Sequence, residues 1–237
     1  MKLQYQNGRR ITKFEHEMCP LEAAIARYEQ AANEHYSVKN TKSTLTELER
    51  EEQLKKALRH LNQQREFLKT IDNVQAKLET YREQGMKAVT GTVPEQVDAM
   101  QLMENENHHP TKVLEEYMAA EGVPKPTPGH TAHHIVPGKG KLERVTGPTR
   151  LHMFFHGVRI NDPANGVYLV AKDADTPHWS MPDSRGHKKY HTNEYEQWVA
   201  SWIQRETDIN HIKTRLQLIG KILQENEPKA VYSQMSQ

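Results

Sequence analysis

Thr131-Ala132-His133-His134-Ile135-Val136-Pro137 is the stretch on which the fold turns. The Ile135-Val136 pair favours a strand, and Pro137-Gly138 ends it. Neighbouring residues on a strand point to opposite faces, so the two adjacent imidazoles cannot make the same contact. Two different roles for His133 and His134 follow. Downstream, residues 138–149 are rich in Gly and Lys, with Lys139, Lys141 and Arg144, and read as a flexible basic loop. Residues 148–156 read as a short helix with Leu151, Phe154 and Phe155 on one side, closed by Gly157. Asp162-Pro163 and Asn165-Gly166 are turn formers, and residues 167–170 are a second strand. Residues 187–204 read as a helix, on which His187 and His191 project from one face.

Two histidines four apart are a weak metal signal alone, and the Glu of the zincin helix is absent. In the order His-His strand, Asn-Gly turn and strand, then a His-bearing helix, the signal is far stronger. Three imidazoles with an open position make a catalytic rather than a closed structural metal site. Cys19 is the only cysteine, so any metal must be held by His, Asp or Glu, and no internal disulfide forms.

Upstream, Pro124-Lys125-Pro126-Thr127-Pro128 places three prolines in five residues and reads as a stiff linker. The domain boundary is set there: residues 1–121 form an α-helical hairpin or coiled-coil region, and 122–237 a compact domain with a C-terminal helix. Pro20 suits the first turn of a helix over residues 21–34. A polar break follows at 37–43, then a long helix from about residue 43 to 84. Leu54, Leu58, Leu61, Leu68, Ile71, Val74 and Leu78 form its one-sided apolar seam. That seam is a packing feature with no candidate catalytic group. Gly91 to Pro94 interrupts it, and residues 111–120 form a further short helix.

Hydrophobic residues make up 35% and charged residues 27%, too polar for one large core in 237 residues. No apolar run is long enough to span a membrane, and the N-terminus lacks the apolar stretch of a signal peptide. Residues 122–207 hold 11 Lys+Arg against 8 Asp+Glu, a net +3, and the remainder 21 against 23, a net −2. The basic balance permits nucleic-acid binding.

Ala132-His133-His134-Ile135-Val136, then Ile160-Asn161-Asp162-Pro163-Ala164-Asn165-Gly166-Val167, then His187-Lys188-Lys189-Tyr190-His191 with Tyr195, resemble the AHH nucleases of the HNH/endonuclease VII superfamily. The resemblance covers about residues 122–207 and implies an α+β chain: helical N-terminal region, then a small ββα-metal nuclease domain. It implies hydrolysis of phosphodiester bonds, expected in DNA, with a divalent ion such as Mg, Zn, Ni or Mn. His134 matches the general base, and an ordinary imidazole value of ~6.5 suits that task. His133, His187 and His191 match the metal ligands. Asn165 matches the middle Asn that holds the base in position; in some HNH enzymes that Asn ligates the metal, so Asn165 stands between two roles. Lys139, Lys141, Arg144, Lys188 and Lys189 are candidates for phosphate contacts, with ordinary exposed lysines as the equal alternative.

The family often ends bacterial polymorphic toxins. The resemblance therefore implies a protein made in the cytoplasm and delivered into target cells by a specialised secretion system. A cognate immunity protein would neutralise it, and the N-terminal helices would meet a secretion component or adaptor. The competing readings are an RNase of the same fold and a non-catalytic His-metal module that binds nucleic acid or protein. The other histidines have plainer readings. His16, His35, His60, His108, His109 and His211 read as surface residues, while His130, His152, His156 and His178 match no motif position. Phe154, Phe155, Tyr168, Trp198 and Trp202 read as core.

Overall fold

A computed structural model of the chain describes residues 5–6, 9–10, 18, 20–40, 46–123, 125–179 and 181–225. The chain forms two compact units, Met1–Ala76 with Ala120–Gly122, and Lys77–Ala119 with Val123–Gln237. The sequence division at 121/122 does not coincide with them, because residues 77–119 join the second unit.

The first unit holds a two-residue antiparallel ladder, β1 (Tyr5–Gln6) and β2 (Arg9–Arg10), then α1 (Pro20–Asn40) and most of α2 (Glu47–Thr90). Pro20 opens α1, where its missing N–H costs nothing. The helix runs on through Ser37 to Asn40, part of the stretch expected to be a polar break; residues 41–45 lie outside the described ones. Along α2 the apolar seam is exposed or half-exposed from Leu54 to Leu68 and becomes buried at Ile71, Val74, Leu78 and Tyr81.

The second unit is built around one hairpin. β3 (His130–His134) pairs antiparallel with β4 (Gly166–Val170), with Ala132 opposite Tyr168, His133 opposite Val167 and His134 opposite Gly166. Alternation gives the sheet two faces. Ala132 and Tyr168 pack with Leu114 and Met118 of α4 (Lys112–Ala120). The approach is close: a Cβ on Gly166 would lie 2.6 Å from the Met118 sulfur. Val167 and Leu169 face the main core with Trp198 of α6 (Asn193–Ile203) and Ile212, Leu216, Ile219 and Leu223 of α7 (Ile209–Gln224).

α5 (Glu143–Phe155) fills the crossover between the strands. It starts five residues earlier than the helix read from sequence. The cause is a cap from a distant element: the buried Glu196 carboxylate accepts the N–H groups of Lys141 and Leu142, each at 2.7 Å. Leu142 is the N-cap residue and Lys141 the residue before it, so the carboxylate pins the chain where the helix starts. α5 ends at Gly157, whose φ of 76° provides the left-handed C′ conformation, with Val158 N–H closing back on Met153 O at 3.0 Å. The same turn meets α2, since a Cβ on Gly85 would lie 2.6 Å from Gly157 O. Phe155, read as core, is 60% exposed, while its neighbour Phe154 is buried.

A helix not read from the sequence, α3 (Val93–Glu104), follows α2. Thr92 and Glu95 form its capping box, and Pro94 sits in its first turn. The turn that breaks one helix thus starts the next. No helix among the described residues is long and apolar enough to cross a membrane.

Candidate active site

The end of the hairpin gathers the candidate residues. His133 and His134 contact different neighbours, as strand alternation requires. His133 lies on the α6 side: its Nε2 is 3.2 Å from the Tyr195 hydroxyl, whose own proton goes to Ile135 O at 2.8 Å. A hydroxyl has one proton, so the His133 ring donates through Nε2–H and keeps its lone pair on Nδ1. Its ring centre is 5.1 Å from that of His191, and His191 is 5.8 Å from His187. His187 Nδ1 donates to Ala171 O at 2.9 Å, which leaves the lone pair on Nε2.

His187 and His191 are not on one α-helix, in contrast to the sequence reading. His187 opens a short 3-10 turn, His187–Tyr190, and α6 begins only at Asn193, after Thr192 caps it by accepting from Tyr195 N–H. The Thr192 cap fixes where the chain changes direction, and the two rings still meet.

His134 lies on the other face. Its Nε2 is 3.0 Å from Asn161 Oδ1, and its ring centre is 6.0 Å from His108 and 6.1 Å from His109. Read as surface residues from sequence, His108 and His109 therefore flank the base candidate. The ring of His108 lies against Gly138, where a Cβ would come within 2.3 Å of it.

Asn165 is wholly buried. Its amide ties main chain: Oδ1 accepts from Val136 N–H, and Nδ2 donates to Val136 O and Ile160 O. It holds the segment leaving β3 against the segment entering β4. Asn161 is the amide that meets the ring, and the sequence reading gave it no role.

Burial pushes His133 well below the ordinary imidazole value, and neighbouring His191, His134 and His187 add to the effect. Burial pushes His134 down to about 4, against the Asn161 hydrogen bond. Burial, then His187 and Lys141, lower His191. These rings are neutral near pH 7, with lone pairs available.

The donor chemistry of His133, His187 and His191 fits a divalent transition ion. Two imidazoles on one tetrahedral ion, at metal–nitrogen distances of ~2.0–2.1 Å, have ring centres about 5–5.5 Å apart. The observed 5.1 and 5.8 Å are close to this. Among the described residues, however, no three His, Cys, Asp or Glu side chains form a ready-made metal-holding group. The match is one of donor type and neighbourhood.

Lys139, Lys141, Arg144, Lys188 and Lys189 are all exposed. Lys141 stands in the loop fixed by Glu196 and acts electrostatically on His191, so it borders the site. Arg144 is on α5, and Lys189 faces Asp173 at 3.5 Å.

No curated protein and no solved structure matches the chain. Residues 114–225 match AHH, a nuclease family of the HNH/ENDO VII superfamily with conserved AHH. With Ala132-His133-His134 at the end of β3, the domain spanning residues 114–225 belongs to that nuclease family.

Proposed function

We propose that the chain is a divalent-metal-dependent endonuclease that cuts DNA, with His134 as general base. One observation carries this reading: Asn161 takes the Nε2–H of His134 and leaves its lone pair on Nδ1, while the preceding residue, His133, stands by His191, which in turn neighbours His187. A water placed at Nδ1 gives up its proton to the ring as its oxygen attacks phosphorus, and the P–O bond to the leaving sugar oxygen breaks. His133, His187 and His191 would hold the ion. When bound, it supplies positive charge to the phosphate oxygens and the leaving oxygen. Tyr195 and Ala171 orient two of those rings, the arrangement that commonly surrounds metal-bound imidazole. Asn165 keeps the two halves of the hairpin end in register. Lys139, Lys141, Arg144, Lys188 and Lys189 would receive the DNA backbone.

Delivery as an antibacterial toxin, from cytoplasm to target cell through a secretion system and countered by an immunity protein, rests on the family setting. In that setting the α1–α2 unit, which supplies none of the candidate site residues, meets the delivery partner.

The test is cleavage of supercoiled plasmid, with a structured RNA in parallel, by the full chain with Mg, Mn, Ni or Zn, then with chelator. Plasmid nicking that stops with chelator and returns with metal is expected. Cleavage of RNA alone, or cleavage indifferent to chelator, would overturn the reading.

A further inference from the structure

The contacts behind His134 lead out of the family-matched region. Asn161 donates both amide protons, to Glu106 Oε1 at 2.7 Å and to Asn107 O at 3.0 Å. Its Oδ1 is thereby aimed at His134 Nε2. Turning the amide over would set its oxygen against the Glu106 carboxylate and the Asn107 carbonyl, two repulsions in a buried place. Glu106 is itself fixed. Its Oε1 also accepts from the Tyr81 hydroxyl at 2.6 Å, and its Oε2 accepts from Arg159 Nε at 2.9 Å. The Tyr81 oxygen takes the Asn161 main-chain N–H at 2.9 Å, so both ends of Asn161 are tied to the same anchor. Glu106 follows α3 and Tyr81 lies on α2, both before residue 114, where the family match begins.

We infer that Glu106 and Asn161 are positioning residues for His134. They hold its ring as the Nε2–H tautomer, so that Nδ1 is the atom that takes the proton from water. The inference rests on the reading of His134 as base. It makes residues 77–113 part of the catalytic apparatus rather than of the delivery region. A purely structural staple between the 105–107 segment and the 159–161 turn would use the same bonds, but would not care which ring nitrogen carries the proton.

The experiment uses the full chain and a labelled DNA duplex, with the ion that best supports cleavage. Asn161→Leu removes the acceptor at similar volume. It is expected to lower kcat by about 10²-fold, between the 10–100-fold typical of supporting partners and the ~10⁴-fold of a wrong tautomer. KM and calorimetric metal affinity should stay within about threefold, or ~0.7 kcal/mol. The double variant Asn161→Asp with Glu106→Gln restores the acceptor toward Nε2 and a donor behind it. It should recover about tenfold or more of the lost kcat, ~1.4 kcal/mol. An unchanged kcat in Asn161→Leu, or equal losses in the Leu variant and the double variant, would overturn the inference. If Asn161→Leu does not fold, the nitrogen-15 spectrum of His134 in the unaltered chain decides: Nε2 protonated supports the inference, and Nδ1 protonated ends it. His134→Ala separates the two claims. Full activity in that variant removes the base assignment, whereas its loss alongside an unaffected Asn161→Leu removes only the positioning role.

Discussion

At the residue scale, hydrogen-bond direction assigns more than distance does. Tyr195 has one proton and gives it to Ile135 O, so its oxygen is the acceptor that sets the His133 tautomer. Tyr195→Phe should therefore weaken metal binding about 10–100-fold, as loss of an orienting partner does. It should also cost about 1 kcal/mol of stability through the lost bond to Ile135. Calorimetric metal titration reads the first effect; unchanged affinity would mean that His133 is not a ligand. The five histidine and asparagine candidates were legible as a group because strand alternation and turn chemistry are local. Asn161 was not, since beside Asp162-Pro163 it looks like one more turn former. Nor were His108 and His109, which reach His134 only through the tertiary fold.

Among the elements, the strand at 166–170 could be read from its β-branched residues after a turn former, whereas β3 ends at His134, just before the Ile135-Val136 pair that suggests it, because the chain bends there. The start of α5 could not, because its cap is a carboxylate fifty-odd positions away on α6. The His187–Tyr190 turn was merged with α6 because Thr192 acts as a cap through its side chain, which periodicity does not register. Glu196→Ala leaves two main-chain donors without their charged acceptor. It should destabilise the protein by about 2–3 kcal/mol, read as a shift in the urea midpoint at unchanged slope. A change below about 0.5 kcal/mol, the usual size for a surface substitution, would show that the Glu196 bonds do not hold the α5 start.

For the whole molecule, the second unit includes the last turns of α2, which carry one ion pair into the nuclease domain. Arg82 Nε meets the buried Asp162 carboxylate at 2.9 Å, and Lys213 approaches it at 3.5 Å. Burial pushes Asp162 up, but Arg82, Lys213 and the Ala164 N–H outweigh it and hold the carboxyl below its ordinary value. A depressed folded value means stability that is full above the unfolded value of about 3.9 and is lost as pH falls through the folded one. Asp162→Asn should cost about 3 kcal/mol near neutral pH, the low end for a broken buried pair because Arg82 is partly solvated. The gap from the unaltered protein should narrow as pH falls below about 4 and toward the folded value. Thermal unfolding across pH 3–7 checks this, and a gap that widens in acid would contradict it. The proline-rich segment looked like a domain junction because local composition says nothing about which helices return to pack beyond it. A chain starting at Lys77 should keep cleavage within about threefold, and one starting at Val123, without Tyr81, Arg82 and Glu106, should lose it. Equal activity of the two fragments would return the boundary to residue 122.

The most direct test of the account is the kinetics of His134→Ala in the full chain beside a calorimetric metal titration of the same variant. The base assignment predicts a kcat loss of about 10²–10⁴-fold with metal affinity kept. Cleavage that survives the substitution, or metal affinity that collapses with it, would contradict the separation of base and ligand across the two faces of β3.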